Sequence, residues 1–330
     1  MTTYVLGAGA SYHAGYPFCS TLWAQMMFWV IDSQPDPTYR QAVDTIVALN
    51  GPVTDVEEMF TNLDNGRGVF QALVEGQRTG LKRAIRRCLK DYFRSIADQH
   101  LNASLYAAFA EKLSAGDRII TFNYDVSLEC ALIDARRFGV KNGYGRSFVA
   151  TWDEPDSEIT VLKLHGSINW IGSIFGGSTG SGSFENSLGP RPFVDNSESF
   201  LPTYPSHVLD TSFRGGGVAN EAPTLILPTY EKKFSVSTSV GDEWGDFYKS
   251  LWAQAAESLE SSDRIVMIGY SMPQADTRAR SLLLWANNKR AEILLCCSGS
   301  NETLKRDFET HGFGRVISVG AFADFCSIAG

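Results

Sequence analysis

The sequence predicts an α/β fold: an open, doubly wound, mostly parallel sheet with a helical insertion and a long irregular loop. Three observations predict it. Strand-like runs at 3–6, 118–121, 160–164, 224–227, 264–268, 292–296 and 315–319 are mostly continuous apolar stretches. Alternation would mark half-exposed strands, whereas continuous runs mark parallel strands covered on both faces. Turns or helical periodicity follow each run, as crossover connections require. Finally, 44% of the 330 residues are hydrophobic and 20% charged, enough apolar material for a large core in a single 1–330 domain.

Taken in order, the run at 3–6 ends in Gly7-Ala8-Gly9-Ala10-Ser11, and a helical pattern follows Pro17. A strand, a glycine turn and a helix start place backbone N–H groups and the helix dipole against an anion. Gly7 permits the turn, and Gly9 lets a pyrophosphate approach the backbone. A plain tight turn explains the same residues, because the G-x-G-x-x-G fingerprint fails at Tyr12 and G-x-x-x-x-G-K-[ST] is absent. The apolar stretch 22–31, with Trp23, Phe28 and Trp29, reads as core packing or an oligomer face. Helical periodicity then runs through 39–49, 55–63, 69–98 (interrupted near Gly80) and 101–113, which defines a helical insertion at 37–114. Its basic cluster at 82–87 reads as a solvated face.

The next runs close on polar clusters. These are Thr121-Phe122-Asn123-Tyr124-Asp125, Leu164-His165-Gly166-Ser167-Ile168-Asn169-Trp170 and Ile268-Gly269-Tyr270-Ser271-Met272-Pro273. Asp276 lies in the first turn of a helix expected from Gln274 and reads as a dipole partner. In an open α/β sheet, ligands bind outside the carboxyl ends of the strands. The clusters therefore converge on one crevice. Between them, 172–221 is irregular, with Gly/Ser-rich 176–183, prolines from Pro190 to Pro205 and three glycines at 215–217. It reads as a surface excursion or a lid.

Composition excludes other classes. With 29 Lys+Arg against 37 Asp+Glu, the net charge of −8 argues against a nucleic-acid-coating surface. No apolar run reaches the roughly 18–20 residues of a membrane span. The N-terminal residues enter a strand-like stretch without a basic segment or cleavage site, so no secretory signal is expected. Six cysteines form no C-x-x-C pair, and His13, His100, His207 and His311 share no metal-ligand spacing. The expectation is a reduced, cytoplasmic protein without a metal.

Together these residues resemble the sirtuin superfamily, NAD-consuming enzymes with a Rossmann-like sheet. Gly7-Ala8-Gly9-Ala10-Ser11 with Ala14-Gly15-Tyr16-Pro17 resembles the family's first motif. Thr121-Phe122-Asn123-Tyr124-Asp125 is similar to its T-Q-N-x-D, Leu164-His165-Gly166-Ser167 to its histidine motif, and Ile268-Gly269-Tyr270-Ser271 to its later glycine–serine motif. The closer likeness is to the zinc-free sirtuin-like NAD-hydrolase domains of bacterial anti-phage defence systems. Those share an L-H-G-S-I-N-W-type motif, a G-Y-S-x-P-x-x-D segment (here to Asp276) and a helical insert in place of a zinc module. Two departures separate the chain from the deacylase branch: Phe18-Cys19-Ser20 replaces Asp-Phe-Arg, and the four zinc cysteines are missing. Ser298-Gly299-Ser300-Asn301 also replaces the family's Asn-centred turn.

The resemblance implies NAD as substrate and no metal. It implies catalytic roles for His165 (general base), Asn123 (ribose hydroxyl and a water) and Asp125 (nicotinamide amide). Nucleotide contacts would come from Gly7, Ala8, Gly9, Ser11, Gly269, Ser271 and Ser298. The implied activity is an NAD glycohydrolase acting in anti-phage defence by NAD depletion, as a homo-oligomer with a possible partner protein of the defence system. The alternatives are an NAD-dependent protein deacylase and a non-catalytic NAD or ADP-ribose sensor.

Overall fold

In the computed structural model, the described residues are 1–33, 35–99, 104–145, 156–172, 192–194, 223–230, 244–274, 276–286 and 288–327. The chain begins β1 (Thr2–Leu6), α1 (Ala8–Ser11), α2 (Cys19–Ser33), α3 (Pro37–Asn50), α4 (Val56–Asn65), α5 (Glu75–Gln99) and α6 (Ser104–Lys112). It continues β2 (Arg118–Thr121), α7 (Ser127–Asp134), α8 (Val140–Gly143), β3 (Thr160–Lys163), β4 (Gly166–Gly172), β5 (Pro192–Val194) and β6 (Pro223–Leu225). The last elements are α9 (Trp244–Glu260), β7 (Arg264–Ile268), α10 (Thr277–Leu284), β8 (Glu292–Cys296), α11 (Asn301–Thr310), β9 (Val316–Ser318) and α12 (Phe322–Ser327).

Neighbouring residues on a strand face opposite sides of a sheet. Val5 and Leu6, Ile119 and Ile120, and Val161 and Leu162 are all fully buried, so helices cover both faces. The sheet has six strands in the order β3-β2-β1-β7-β8-β9, and every pairing is parallel. That is the doubly wound Rossmann-like order, with the reversal between β1 and β7. The register is continuous across the reversal, Val5 lying between Ile120 and Met267.

The run at 224–227 does not join this sheet. As β6 it pairs antiparallel with β4, and β5 flanks the other side of β4 in a separate three-stranded sheet. The histidine-bearing segment thus leaves the main sheet at Lys163 and turns into a second one within a few residues. Gly166, with φ of 81°, makes that turn. Apart from Gly172 and β5, the irregular stretch 172–221 lies outside the described residues, as do His100 and His207. Among the described residues, no helix is long and apolar enough to cross a membrane, and no three His, Cys, Asp or Glu side chains cluster as metal ligands.

Two hydrophobic cores result. One lies around the six-stranded sheet and takes in α6 through Tyr106, Phe109 and Ala110. The other joins α2, α3, α4 and α5, through Trp23, Ile46, Phe60 and Phe93, to Ile168 of β4 and Leu225 of β6. α2 packs with the helical core and α6 with the sheet. On α2, Leu22, Trp23, Met26 and Val30 are buried, whereas Phe28 and Ile31 are exposed. The basic cluster is not wholly solvated. Arg86 is buried, donates from Nε to Leu225 O at 3.1 Å, and is held below the usual guanidinium range by that burial.

A buried ion pair supports the end of β3. Lys163 is 0% exposed and donates to Glu129 Oε1 at 2.8 Å and to the backbone carbonyl of Asp125. Burial pushes the Glu129 carboxyl up, and Lys163 opposes that rise. Removing one partner of such a pair strands the other charge, at about 3–5 kcal/mol. Lys163→Met should lower unfolding stability by that amount in urea denaturation, and Lys163→Met/Glu129→Leu should recover most of it. A single variant as stable as the parent would remove the pair from the structure's supports.

Candidate functional site

The turn after β1 packs against the turn after β7. Gly7 N donates to Ile268 O at 3.0 Å and Gly9 N to Gly269 O at 2.9 Å. A Cβ on Gly9 would sit 2.8 Å from Gly269 Cα, and one on Gly269, whose φ is +59°, would collide with Ala10 N. These glycines therefore let two backbones meet. Gly7, Gly9 and Ala10 donate their N–H groups within the protein, as the tight-turn reading of this segment allows. The helix that follows the turn is also short. After α1 comes a 3-10 turn over Tyr12–Ala14, closed by Gly15 at φ 87°.

The Ser11 hydroxyl joins the first two strand ends. It donates to Asp125 Oδ2 at 2.7 Å and accepts from Asn123 Nδ2 at 2.9 Å and Tyr106 OH at 2.8 Å. One donor and two acceptors exhaust a hydroxyl, so the Ser11 group organises the site from its wall. Burial and the nearby Asp125 push the Tyr106 phenol well up, which keeps it protonated and donating. Asn123 Nδ2 also donates to Gly7 O at 2.9 Å, leaving Oδ1 as the atom it can present outward. Asp125 Oδ1 accepts from Ser127 N at 3.1 Å, at the start of α7. Lys163 holds the Asp125 carbonyl from beneath.

His165 lies tilted on Phe122 with ring centroids 5.0 Å apart, and across the reversal Phe122 stacks on Tyr270 at 4.3 Å. His165 Nε2 stands 3.8 Å from Asp276 Oδ2. Asp276 caps α10, which starts at Thr277 and not at Gln274, through Oδ1 and Ala279 N at 3.3 Å.

These groups border one cavity of about 730 Å³, in the size range of small-ligand sites. Its walls include all the residues singled out from the sequence: Asn123, Asp125, His165, Gly7, Ala8, Gly9, Ser11, Gly269, Ser271 and Ser298. Its carboxylates are Glu57, Asp125 and Asp276, and no lysine or arginine stands among the described lining residues. The walls thus favour a ligand that carries or develops positive charge.

Sequence reasoning missed several of these residues. Glu57 and Phe93 reach the cavity from the helical core. Tyr12 and Phe18 stack at 4.7 Å on its border, both largely exposed. Tyr106 and Lys163 act from behind the walls. No local signal marks any of them. Two exposed aromatics close to a glycine turn were the nearest thing to one.

No family model matches the chain, and no curated protein does. Among solved structures the chain is similar to a Sir2 homologue in complex with NAD, at 13% identity and TM-score 0.45, over 98% of this chain and 86% of that one. It is also similar to a Sir2 homologue variant in complex with 2′-O-acetyl-ADP-ribose, at 15% identity and TM-score 0.40, over 89% and 79%. A third is Sir2Tm bound to a propionylated peptide, at 12% identity and TM-score 0.37, over 95% and 94%. The fold assignment rests on the strand order described above.

Ser11→Ala should leave Asp125, Asn123 and Tyr106 each short of a buried partner and cost about 2–3 kcal/mol. Thermal or urea unfolding measures the loss. A cost near zero would mean that the three side chains hold their places without the hydroxyl.

Proposed function

We propose that this chain is an NAD glycohydrolase, cleaving NAD to nicotinamide and ADP-ribose with water as acceptor. One observation carries the reading: Asn123 and Asp125 after β2 and His165 after β3, from two strand-end motifs far apart in sequence, border a single carboxylate-rich cavity beside the glycine turn. NAD presents a cationic pyridinium, and its cleavage moves that charge onto the ribose as an oxocarbenium ion, which acidic walls stabilise. The electron pair of the C1′–nitrogen bond returns to the ring, so nicotinamide leaves neutral and needs no acid. Asn123 Oδ1 orients the ribose and the water, and Asp125 accepts from the carboxamide. The water oxygen bonds to C1′, while its proton passes to His165 and then to solvent.

Water is favoured over an acylated lysine because the sequence lacks the zinc cysteines and the Asp-Phe-Arg segment of the deacylase branch it resembles. The likeness to anti-phage domains supports a cellular role in NAD depletion, and exposed Phe28 and Ile31 on α2 suit a homo-oligomer. A sensor that only binds nucleotide has no use for His165.

Purified protein incubated with NAD should release nicotinamide without any peptide. Strict dependence on an acylated peptide, with matching deacylation, would replace this reading by the deacylase one. His165→Ala should lower NAD cleavage at least about a hundredfold, the lower scale for loss of a general base, with circular dichroism unchanged. A folded variant that cleaves at the parental rate would take the base role away from His165.

A further inference from the structure

Asp276 has more partners than a helix cap needs. A cap needs one acceptor oxygen. Asp276 is only 4% exposed, and burying a carboxylate is costly unless its charge is used. Oδ1 does the capping. Oδ2 accepts from Tyr270 OH at 3.1 Å and faces His165 Nε2 at 3.8 Å. Burial and the same carboxylate push the Tyr270 phenol well up, so it stays a donor and aims the carboxylate.

The loop that carries this pair is tightly determined. Gly269 and Met272 both have positive φ, at 59° and 50°, and Met272 is buried. Arg280 donates to Met272 O at 2.9 Å and to Asp307 Oδ2 at 3.0 Å, tying the loop to α11. A non-glycine residue in that conformation persists only where its surroundings over-determine it, which is common beside functional groups.

We propose that Asp276 is a positioning residue for His165: its carboxylate orients the ring and stabilises the imidazolium formed when His165 takes the proton of the attacking water. This rests on the hydrolase reading for the reaction, but the Asp276–His165 coupling exists with or without it. A closure of under about 1 Å brings Nε2 and Oδ2 to hydrogen-bond length, a tightening common when ligand fills such a site. In the low-dielectric wall, a buried carboxylate at this range holds a cation more firmly than it would in water. Among the described residues, charged or titratable groups around the pair include Tyr270 from the loop after β7, Arg280 from α10, Glu57 from α4, and Tyr124 and Asp125 from the loop after β2. The Asp276 carboxylate stands within ion-pair range of the ring nitrogen, at 3.8 Å.

Asp276→Asn separates the two roles, since asparagine caps a helix as well as aspartate but carries no charge. Asp276→Ser, another good cap, serves if the amide misfolds. The first measurement is the titration of the His165 ring by NMR in the full chain, assigned with His165→Gln. The ring should protonate at lower pH in either variant than in the parent. The second is kcat/KM for NAD cleavage against pH. It should fall about tenfold to a hundredfold, mostly in kcat, and the acidic limb should move to lower pH, because a less basic histidine keeps its neutral form further into acid. Unfolding midpoints should stay at the parental value. An unchanged His165 titration in a folded variant overturns the proposal, whatever the activity. A shifted titration in a chain that never cleaves NAD would instead overturn the hydrolase reading and leave the coupling standing.

Discussion

The Ser11 hydroxyl is the point on which the site depends. Its single proton and two lone pairs tie Asp125, Asn123 and Tyr106 into one buried cluster, so the end of β1, the end of β2 and helix α6 share one geometry. A half-satisfied polar cluster of this kind would be worse than an apolar one, because each lost partner leaves a desolvated group. The remaining supports follow from that. Lys163 holds the Asp125 carbonyl from β3, and Gly9 and Gly269 let the two turns approach until their backbones bond. Parallel pairing across the reversal places all of these strand ends at one level.

The cavity lies where the two cores meet. The sheet core contributes Phe122, Tyr270 and Phe322, and the helical core contributes Tyr16, Leu22 and Phe93. A rigid wall thus carries the polar groups, and a second wall, built from α2, α4 and α5, closes the space opposite. The short antiparallel sheet joins the two, since β4 leaves His165 at the cavity and carries Ile168 into the helical core. Carboxylates reach the space from both walls, Glu57 from the helical one and Asp276 from the sheet, and this sets the cavity's acidic character.

Much of the fold was legible because its signals are local. Strands β1, β2, β7 and β8 are continuous apolar runs, and their limits lie within a residue of those read from sequence. Helical periodicity over 55–63 placed α4 in the same way, and the structure adds Asp55 as its cap. The run at 224–227 misled for a related reason. A short apolar run has the same pattern in either kind of sheet, and only its antiparallel partner β4 decides which it joins. The cluster at 82–87 misled because charge suggests solvent, whereas the carbonyl of Leu225 gives Arg86 a buried partner.

By itself the sequence determined which residues stand at the carboxyl ends of strands, since a strand's apolar run and the polar residues that stop it are neighbours in the chain. From those ends alone Asn123, Asp125, His165 and the glycine turn could be assembled into one crevice. Only the tertiary structure decided how they are held. Tyr106 lies 95 residues from Ser11 and Asp125 lies 114 from it, and Lys163 reaches Asp125 across 38. Periodicity and turn chemistry operate over a few residues and carry no information at such separations. Side-chain partnership across parallel strands is set by the order in which the strands pair, and that order exists only once the chain has folded.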